Sequence, residues 1–497
     1  MYIKSKNLSV LLIAASLAVL SFAKLNKPTI HLIGDSTMAD KPLDDNPERG
    51  WGQLFPLFFT HEIQIINYAR NGRSTKSFID QGLWIEVYNN LKPGDYVFIQ
   101  FGHNDAKKSD TTRYADAHTA YRDNLIRFIA ETREKGANPV LITPVNRRKF
   151  SDTGEFIDQH GEYPVVVREL ATEYNVPLID LHARSLELFR KLGPVKSEGL
   201  FLRAPAGVYK ALPEGKSDNT HFNRTGAIKI CELVINEMKA IDLPVARYLK
   251  NGPELSDIGA GKVVGLDYYY NREFKNGCQY HYTWEDRENS GFYELGNLFE
   301  NTGAFISKIA DEPTAAELER LSVYIIVDPD TPLETDEPNY ISRKAVKTIT
   351  RWVRSGGVLV LLGNDAGNAE FEHFNQLAKN FGFWFNEVSL NRVENKQFDM
   401  AKFDNLPNHL LFENVAKIYL KEIATLSLAG RAEPILIADE NVIIAKSNYG
   451  RGMVLAIGDP WLYNEYIDNR KLPADFENFQ AAQNFCRWLL NLAKRVR

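Results

Sequence analysis

Apolar and polar positions alternate in blocks along the first half of the chain. Short apolar runs at Thr29–Ile33, Ile63–Tyr68, Tyr96–Gln100, Pro139–Thr143 and Pro177–Asp180 predict buried strands. Each is followed by helical periodicity, at Gly52–Phe59, Ser77–Leu91, Tyr114–Lys135, Tyr163–Tyr174 and Leu181–Leu192. Strands alternating with helices predict an α/β domain, a doubly wound parallel sheet covered on both faces. Such sheets hold ligands outside the carboxyl ends of their strands, so chemistry is expected on that edge.

The periodicity lapses around Leu243–Gly261, where Pro244, Gly252, Pro253, Gly259 and Gly261 punctuate the chain. A second α/β pattern follows. Its strands are expected at Lys262–Asp267, Val323–Val327, Val358–Leu362, Pro434–Ala438, Val442–Ser447 and Met453–Ile457, with helices near Arg343–Ser355 and Phe476–Ala493. The expected division is a first domain over 24–245, a linker over 246–261 and a second domain over 262–497.

The first 23 residues stand apart from both patterns. Lys4 and Lys6 precede an apolar run from Leu8 to Leu20 and then Ser21-Phe22-Ala23, the order of a signal peptide. The run, about 13 residues, is short against the ~20 needed to span a bilayer. An exported protein is expected, periplasmic or extracellular, with no membrane association after cleavage.

Composition adds exclusions. With 44% hydrophobic and 25% charged residues in 497, the chain is neither disordered nor a multi-span membrane protein. A net charge of −5 leaves no basic footprint for nucleic acid. Three cysteines, Cys231, Cys278 and Cys486, are too few and scattered for a disulfide scaffold or a Cys-ligated zinc site. No cluster has metal-ligand spacing, so neither metal nor cofactor is expected.

Four segments carry candidate chemistry. The first strand runs into Gly34-Asp35-Ser36-Thr37, where a tight turn permitted by Gly34 would expose Ser36 as a nucleophile; Asp-Ser is equally a helix cap. After the second strand, Gly72 in Asn71-Gly72-Arg73-Ser74 is placed to offer its N–H to an oxyanion, or simply to make a βα turn. After the third, Asn104 in Gly102-His103-Asn104-Asp105 offers a side-chain amide to the same oxygen. The fourth is Ser217-Asp218-Asn219-Thr220-His221, read as a loop or first helical turn in which Asp218 orients the imidazole of His221. Alone, each has a bland reading. Together, three lie just past the first three strands and the fourth supplies a base with its orienter.

This ordered set resembles the SGNH (GDSL-type) hydrolase family, whose signature residues match Ser36, Gly72, Asn104 and His221. The resemblance implies a serine nucleophile, an oxyanion hole from the Ser36 amide, Gly72 and Asn104, and an Asp218–His221 base. Gly34-Asp35-Ser36-Thr37-Met38-Ala39, Gly50-Trp51-Gly52-Gln53, Asn71-Gly72-Arg73-Ser74-Thr75-Lys76-Ser77-Phe78 and Phe101-Gly102-His103-Asn104-Asp105 look like rhamnogalacturonan acetylesterases, over about residues 29–240. That implies a secreted carbohydrate O-acetylesterase with an acetylated poly- or oligosaccharide substrate. Three further residues are candidate substrate contacts. Arg73 has a planar fork for a galacturonate carboxylate, Trp51 a face for a sugar ring or for the core, and His103 lies beside the site. His160 lies in a polar loop, and Asp180-Leu181-His182 reads as capping and packing.

In the second half, Val358–Leu362 enters Gly363-Asn364-Asp365, the outline of a nucleophile elbow with aspartate in place of cysteine. The half loosely resembles a class I glutamine amidotransferase-like (flavodoxin-like) domain and is expected to be non-catalytic. Aromatics at Asp267–Asn271 and Tyr280–Trp284 suggest a core edge or a sugar platform. Two other functions stay open: a broader sugar or xylan acetylesterase or another SGNH esterase, and a glycan-binding or scaffolding protein acting through the second domain.

Overall fold

A computed structural model describes residues 27–496 except 61, 251–255, 276, 287–289, 468–470 and 474. The expected signal segment and part of the expected linker lie outside the described residues. By their contacts the described residues form two compact units, those within 1–41, 48–204 and 216–253 and those within 42–47, 205–215 and 254–497.

The first unit contains β1 (Thr29–Gly34), β2 (Glu48–Arg49), β3 (Gln64–Asn67), β4 (Tyr96–Gln100), β5 (Asn138–Ile142), β6 (Leu178–Ile179), β7 (Phe201–Ala204) and β8 (Lys216–Asn223). Five of them make a parallel sheet in the order β3-β1-β4-β5-β6. Ile30, Leu32, Val97, Phe98, Val140 and Leu141 are fully buried, as both-face coverage requires. The crossovers follow the periodicity, with one break. Helices Thr75–Asp80 and Leu83–Asn90 replace the single helix expected over 77–91, because Gly82 takes φ 73 between them.

A second sheet, β2-β8-β7, corrects one expectation. Asp218 and His221 lie on β8, an antiparallel strand paired with β7 and β2, and not on a loop or helical turn. Asn223 at its end caps helix Arg224–Ala240 by accepting from Gly226 N.

The second unit is also mixed α/β. It contains β9 (Val263–Asp267), β10 (Phe274–Lys275), β11 (Cys278–Gln279), β12 (Phe305–Ile309), β13 (Val323–Val327), β14 (Val358–Leu362), β15 (Phe383–Leu390), β16 (Lys402–Phe403), β17 (Ile418–Tyr419), β18 (Ile423–Leu428), β19 (Ala432–Ala438), β20 (Asn441–Tyr449) and β21 (Gly452–Ile457). Its large sheet runs β12-β9-β13-β14-β21-β20-β18-β15, parallel as far as β21 and antiparallel beyond, with β19 on β20.

Two segments expected in the first domain belong to this unit. Asp45 N donates to Ile306 O (2.8 Å), Asp44 Oδ1 accepts from Lys308 N (3.0 Å), and Lys210 N donates to Asp45 Oδ2 (3.1 Å). Tyr268, Tyr270, Tyr282 and Trp284 are buried in its core, so these four rings offer no sugar platform. Asp365, at the expected elbow, accepts from Asn368 Nδ2 and Ser389 Oγ, both at 2.6 Å. Cys231 and Cys486 are buried thiols, whereas Cys278 is exposed.

Candidate active site

The turn after β1 is built over a buried polar chain. Asp35 Oδ1 accepts from Thr37 N (2.9 Å) and Thr37 Oγ1 (2.8 Å), and its Oδ2 accepts from His103 Nδ1 (2.9 Å). Gln100, at the end of β4, donates Nε2 to Thr37 Oγ1 and accepts the Trp51 indole N–H at Oε1, each at 2.8 Å. Side chains at 34 are excluded, since a Cβ there would meet Gln100 O at 2.7 Å. Locked from beneath, the turn leaves Ser36 partly exposed at the carboxyl edge of the sheet.

His221 reaches Ser36 from β8. Its Nε2 lies 2.8 Å from Ser36 Oγ, and its Nδ1 lies 2.8 Å from Asp218 Oδ2. Asp218 Oδ1 accepts from Thr220 N (2.6 Å) and His221 N (2.9 Å), which fixes the carboxylate against the imidazole. Burial alone would raise the Asp218 carboxyl, but the His221 imidazole and these amides outweigh it and hold it below the usual range. An ionised Asp218 accepts only, so the ring proton sits on Nδ1 and Nε2 faces the serine as acceptor. Asp35 is likewise held ionised against its burial by His103 and Thr37, and burial keeps His103 neutral.

Three donors surround the same place. Gly72 takes φ 74 in the turn after β3, and among the described residues neither its N–H nor that of Ser36 has a protein acceptor. Asn104 Nδ2 donates one N–H to Arg73 O (2.9 Å), which leaves its second. The loop after β4 is tied down by Tyr163, whose hydroxyl donates towards Asp105 O (3.0 Å) and Ala115 O (2.9 Å). The arrangement holds a nucleophile, a base with its orienter, and amides able to stabilise a tetrahedral oxyanion.

The expected substrate contacts fare differently. Trp51 is fully buried, edge-on to Phe55, and has no face for a sugar; the core beneath the turn needed a large ring with one polar handle. His103 is buried and serves Asp35 instead of a ligand. Arg73 spends Nε on Gln81 Oε1 (3.0 Å) and Nη1 on Asn71 O (2.8 Å), so its fork closes on its own loop. His160 is buried against His103, and Asp180 caps Ala183 N while pairing with Arg168. Sequence reading missed Gln100, Thr37 and Arg147. Arg147 donates to Thr220 Oγ1 (3.0 Å) and His103 O (3.1 Å), joining β8 to the loop after β4. The polar Gln100 at the end of a buried strand was the available signal.

Among the described residues, one group gathers three ligand-type side chains, Glu370, Glu372 and His373. Glu370 there caps helix Phe371–Ala378 through His373 N. No described helix is long and apolar enough to cross a membrane.

Comparison with known proteins places the similarity over the same segment. The GDSL-like lipase/acylhydrolase family matches residues 32–227. The rhamnogalacturonan acetylesterase RhgT of Bacillus subtilis is 38% identical over 226 residues, 45% of this chain and 96% of the relative. The probable rhamnogalacturonan acetylesterase YesY of the same organism is 38% identical over 216 residues, 44% and 94%. The uncharacterised esterase YxiM is 30% identical over 229 residues, 46% of this chain and 56% of its own length.

Proposed function

The chain belongs to the GDSL-like lipase/acylhydrolase family and is a carboxylic ester hydrolase, and from that premise we propose that it is an exported esterase removing acetyl groups from pectic rhamnogalacturonan. The observation that carries the reading is the unbroken line from Ser36 Oγ through His221 to Asp218, 2.8 Å at each step. His221 Nε2 takes the hydroxyl proton as Ser36 Oγ attacks the acetyl carbonyl, and ionised Asp218 stabilises the imidazolium that forms. The Ser36 and Gly72 amides and the free N–H of Asn104 receive the oxyanion. His221 then returns its proton to the departing sugar hydroxyl. Water, deprotonated by the same imidazole, attacks the acetyl-serine, releases acetate and restores the enzyme.

The substrate comes from the relatives, whose names specify rhamnogalacturonan. Export rests on the order of charges and apolar residues in 1–23. The second unit is assigned no catalytic role, since Asp365 at its strand-end turn is taken up by Asn368 and Ser389 and has no base beside it among the described residues.

Acetate release from acetylated pectic rhamnogalacturonan and acetylated xylan, in parallel with Ser36→Ala as blank, tests the reading. Release from the pectic substrate above xylan is expected. Equal release from both reduces the substrate to acetylated sugars in general, and release surviving in Ser36→Ala overturns the mechanism.

A further inference from the structure

An ionic chain with both ends in the catalytic site runs through the first unit. It starts at Lys41, whose main chain is clamped by the Gln53 side chain. Gln53 Oε1 accepts from Lys41 N and Gln53 Nε2 donates to Lys41 O, each at 3.1 Å. The Lys41 ammonium is buried, pairs with Glu48 Oε1 at 2.7 Å and donates to Asn71 Oδ1 at 2.5 Å. Asn71 directly precedes Gly72, whose amide receives the oxyanion in the reaction above. At the other end, Lys216 Nζ lies 3.6 Å from Glu48 Oε2 and 3.6 Å from Asp218 Oδ2. That Asp218 oxygen is the one facing His221 Nδ1. Charges of alternating sign, Lys41, Glu48, Lys216 and Asp218, therefore connect the oxyanion turn to the acid of the triad.

Stability gives little reason for this arrangement. Burial draws the Lys41 ammonium down, and Glu48 opposes it. Burial would raise the Glu48 carboxyl, but Lys41, His221 and Lys216 outweigh it and hold it below the usual range. Desolvating two charges consumes most of what their attraction returns, and apolar side chains of similar volume often pack as stably. Apolar side chains would not fix direction, whereas an ammonium between two acceptors holds both at hydrogen-bond distance. Lys41 and Glu48 also flank residues 42–47, and Lys216 follows 205–215, the two stretches counted with the second unit. Each thus stands where the backbone leaves or re-enters the first unit, where an anchor to the catalytic residues counts most.

We propose that Lys41, Glu48 and Lys216 are positioning residues, which hold the Gly72 turn and the Asp218 carboxylate in register so that base and oxyanion hole meet one acetyl carbonyl. The inference rests on the esterase reading above. The three act through Asn71 and Asp218 and not on the substrate. Misalignment weakens the transition state and leaves sugar binding alone, so loss of the chain should act on kcat more than on KM.

The test measures kcat and KM of the full chain on para-nitrophenyl acetate, with thermal unfolding of each variant alongside. Glu48→Gln should lower kcat roughly 30-fold with KM little changed. It also strands the Lys41 ammonium, so its unfolding midpoint should fall. Lys41→Met combined with Glu48→Gln removes both buried charges, so the midpoint should recover while kcat stays about as low. Lys216→Met, at the more exposed end, should lower kcat about fivefold, and Lys216→Arg should restore part of the loss. A double variant whose kcat returns with its stability overturns the inference, since the chain then only holds the fold. So does a folded Lys216→Met protein with wild-type kcat, or a loss carried by KM alone. Failure of the wild type on the ester would instead overturn the reading on which the inference rests.

Discussion

Each unit sets aspartates at or near the carboxyl ends of parallel strands, the first adding Asp218 on β8, and the two sets live in opposite surroundings. After β1, Asp35 faces His103, and on β8 Asp218 faces His221; both carboxyls stay ionised although burial opposes it. In the second unit Asp267 ends β9 and Asp328 follows β13, with Asp330 two residues on. Asp267 accepts from the Tyr324 hydroxyl (2.7 Å) and nearby amides, and burial pushes it up to about 6. Asp330, bonded to Arg272 N, is pushed up to about 7 by burial and by Glu273 and Glu334. Asp328, with Asn364 Nδ2 as its donor, is raised by burial and by the same neighbours. Topology alone therefore does not make an esterase edge. A fixed carboxylate becomes useful when a base stands beside it, and Asp105, pushed up to about 7 by burial and bonded to Thr75 with no base against it among the described residues, shows the unpaired state within the first unit.

The comparison breaks hardest at the triad. Ser36→Ala and Asp218→Asn should each lower kcat on an acetyl ester by roughly 10⁴-fold, measured on protein with unchanged circular dichroism. An Asp218→Asn enzyme that keeps a tenth of its activity would show that the ionised partner is not what distinguishes this edge. Next in size, Asn104→Ala should cost about 10²-fold in kcat with KM little changed, because its amide acts on the oxyanion and not on the ground state.

The smallest effect concerns stability. Asp267 and Asp330 have folded pKa values above the ordinary carboxylate range, so their contribution is full below about pH 4 and lost as pH rises through about 6 to 7, and Asp328 is raised in the same direction. Asp35 and Asp218 are depressed, so theirs is present above about pH 4 and lost as pH falls. Hydrogen exchange should then show the second unit better protected at pH 6 than at pH 8, after correction for intrinsic exchange. Asp330→Asn should remove part of that difference, and an unchanged difference would sharpen attention on Asp328.

Much of the catalytic edge was legible because it is local. The strands before Ser36, Gly72 and Asn104 are short apolar runs, and each functional residue follows its strand within a few positions. The setting of His221 was not legible, since pairing of Lys216–Asn223 with Phe201–Ala204 and Glu48–Arg49 depends on partners distant in sequence. Lys216 beside Glu48 was invisible for the same reason; only folding brings the two together. In the large sheet of the second unit β12, β15 and β18 escaped notice. β15 is half exposed, and β18 follows other strands without the helical spacers that announce a βαβ unit. Trp51 was open to two readings, platform or core, and its buried ring with the indole N–H donated to Gln100 makes it core.

Because 42–47 and 205–215 are counted with the second unit, the chain passes from one unit to the other five times. The second half is therefore no cassette that a breakpoint near residue 254 would lift out cleanly. During synthesis the first unit emerges early, but the two loops that leave it must wait for their partners at residues 305–320. Grafting either half onto another protein would orphan those loops, one beginning six residues after Ser36 and the other ending three before Asp218. Shuffling of these halves in evolution would have to carry both insertions along, which ties their inheritance together.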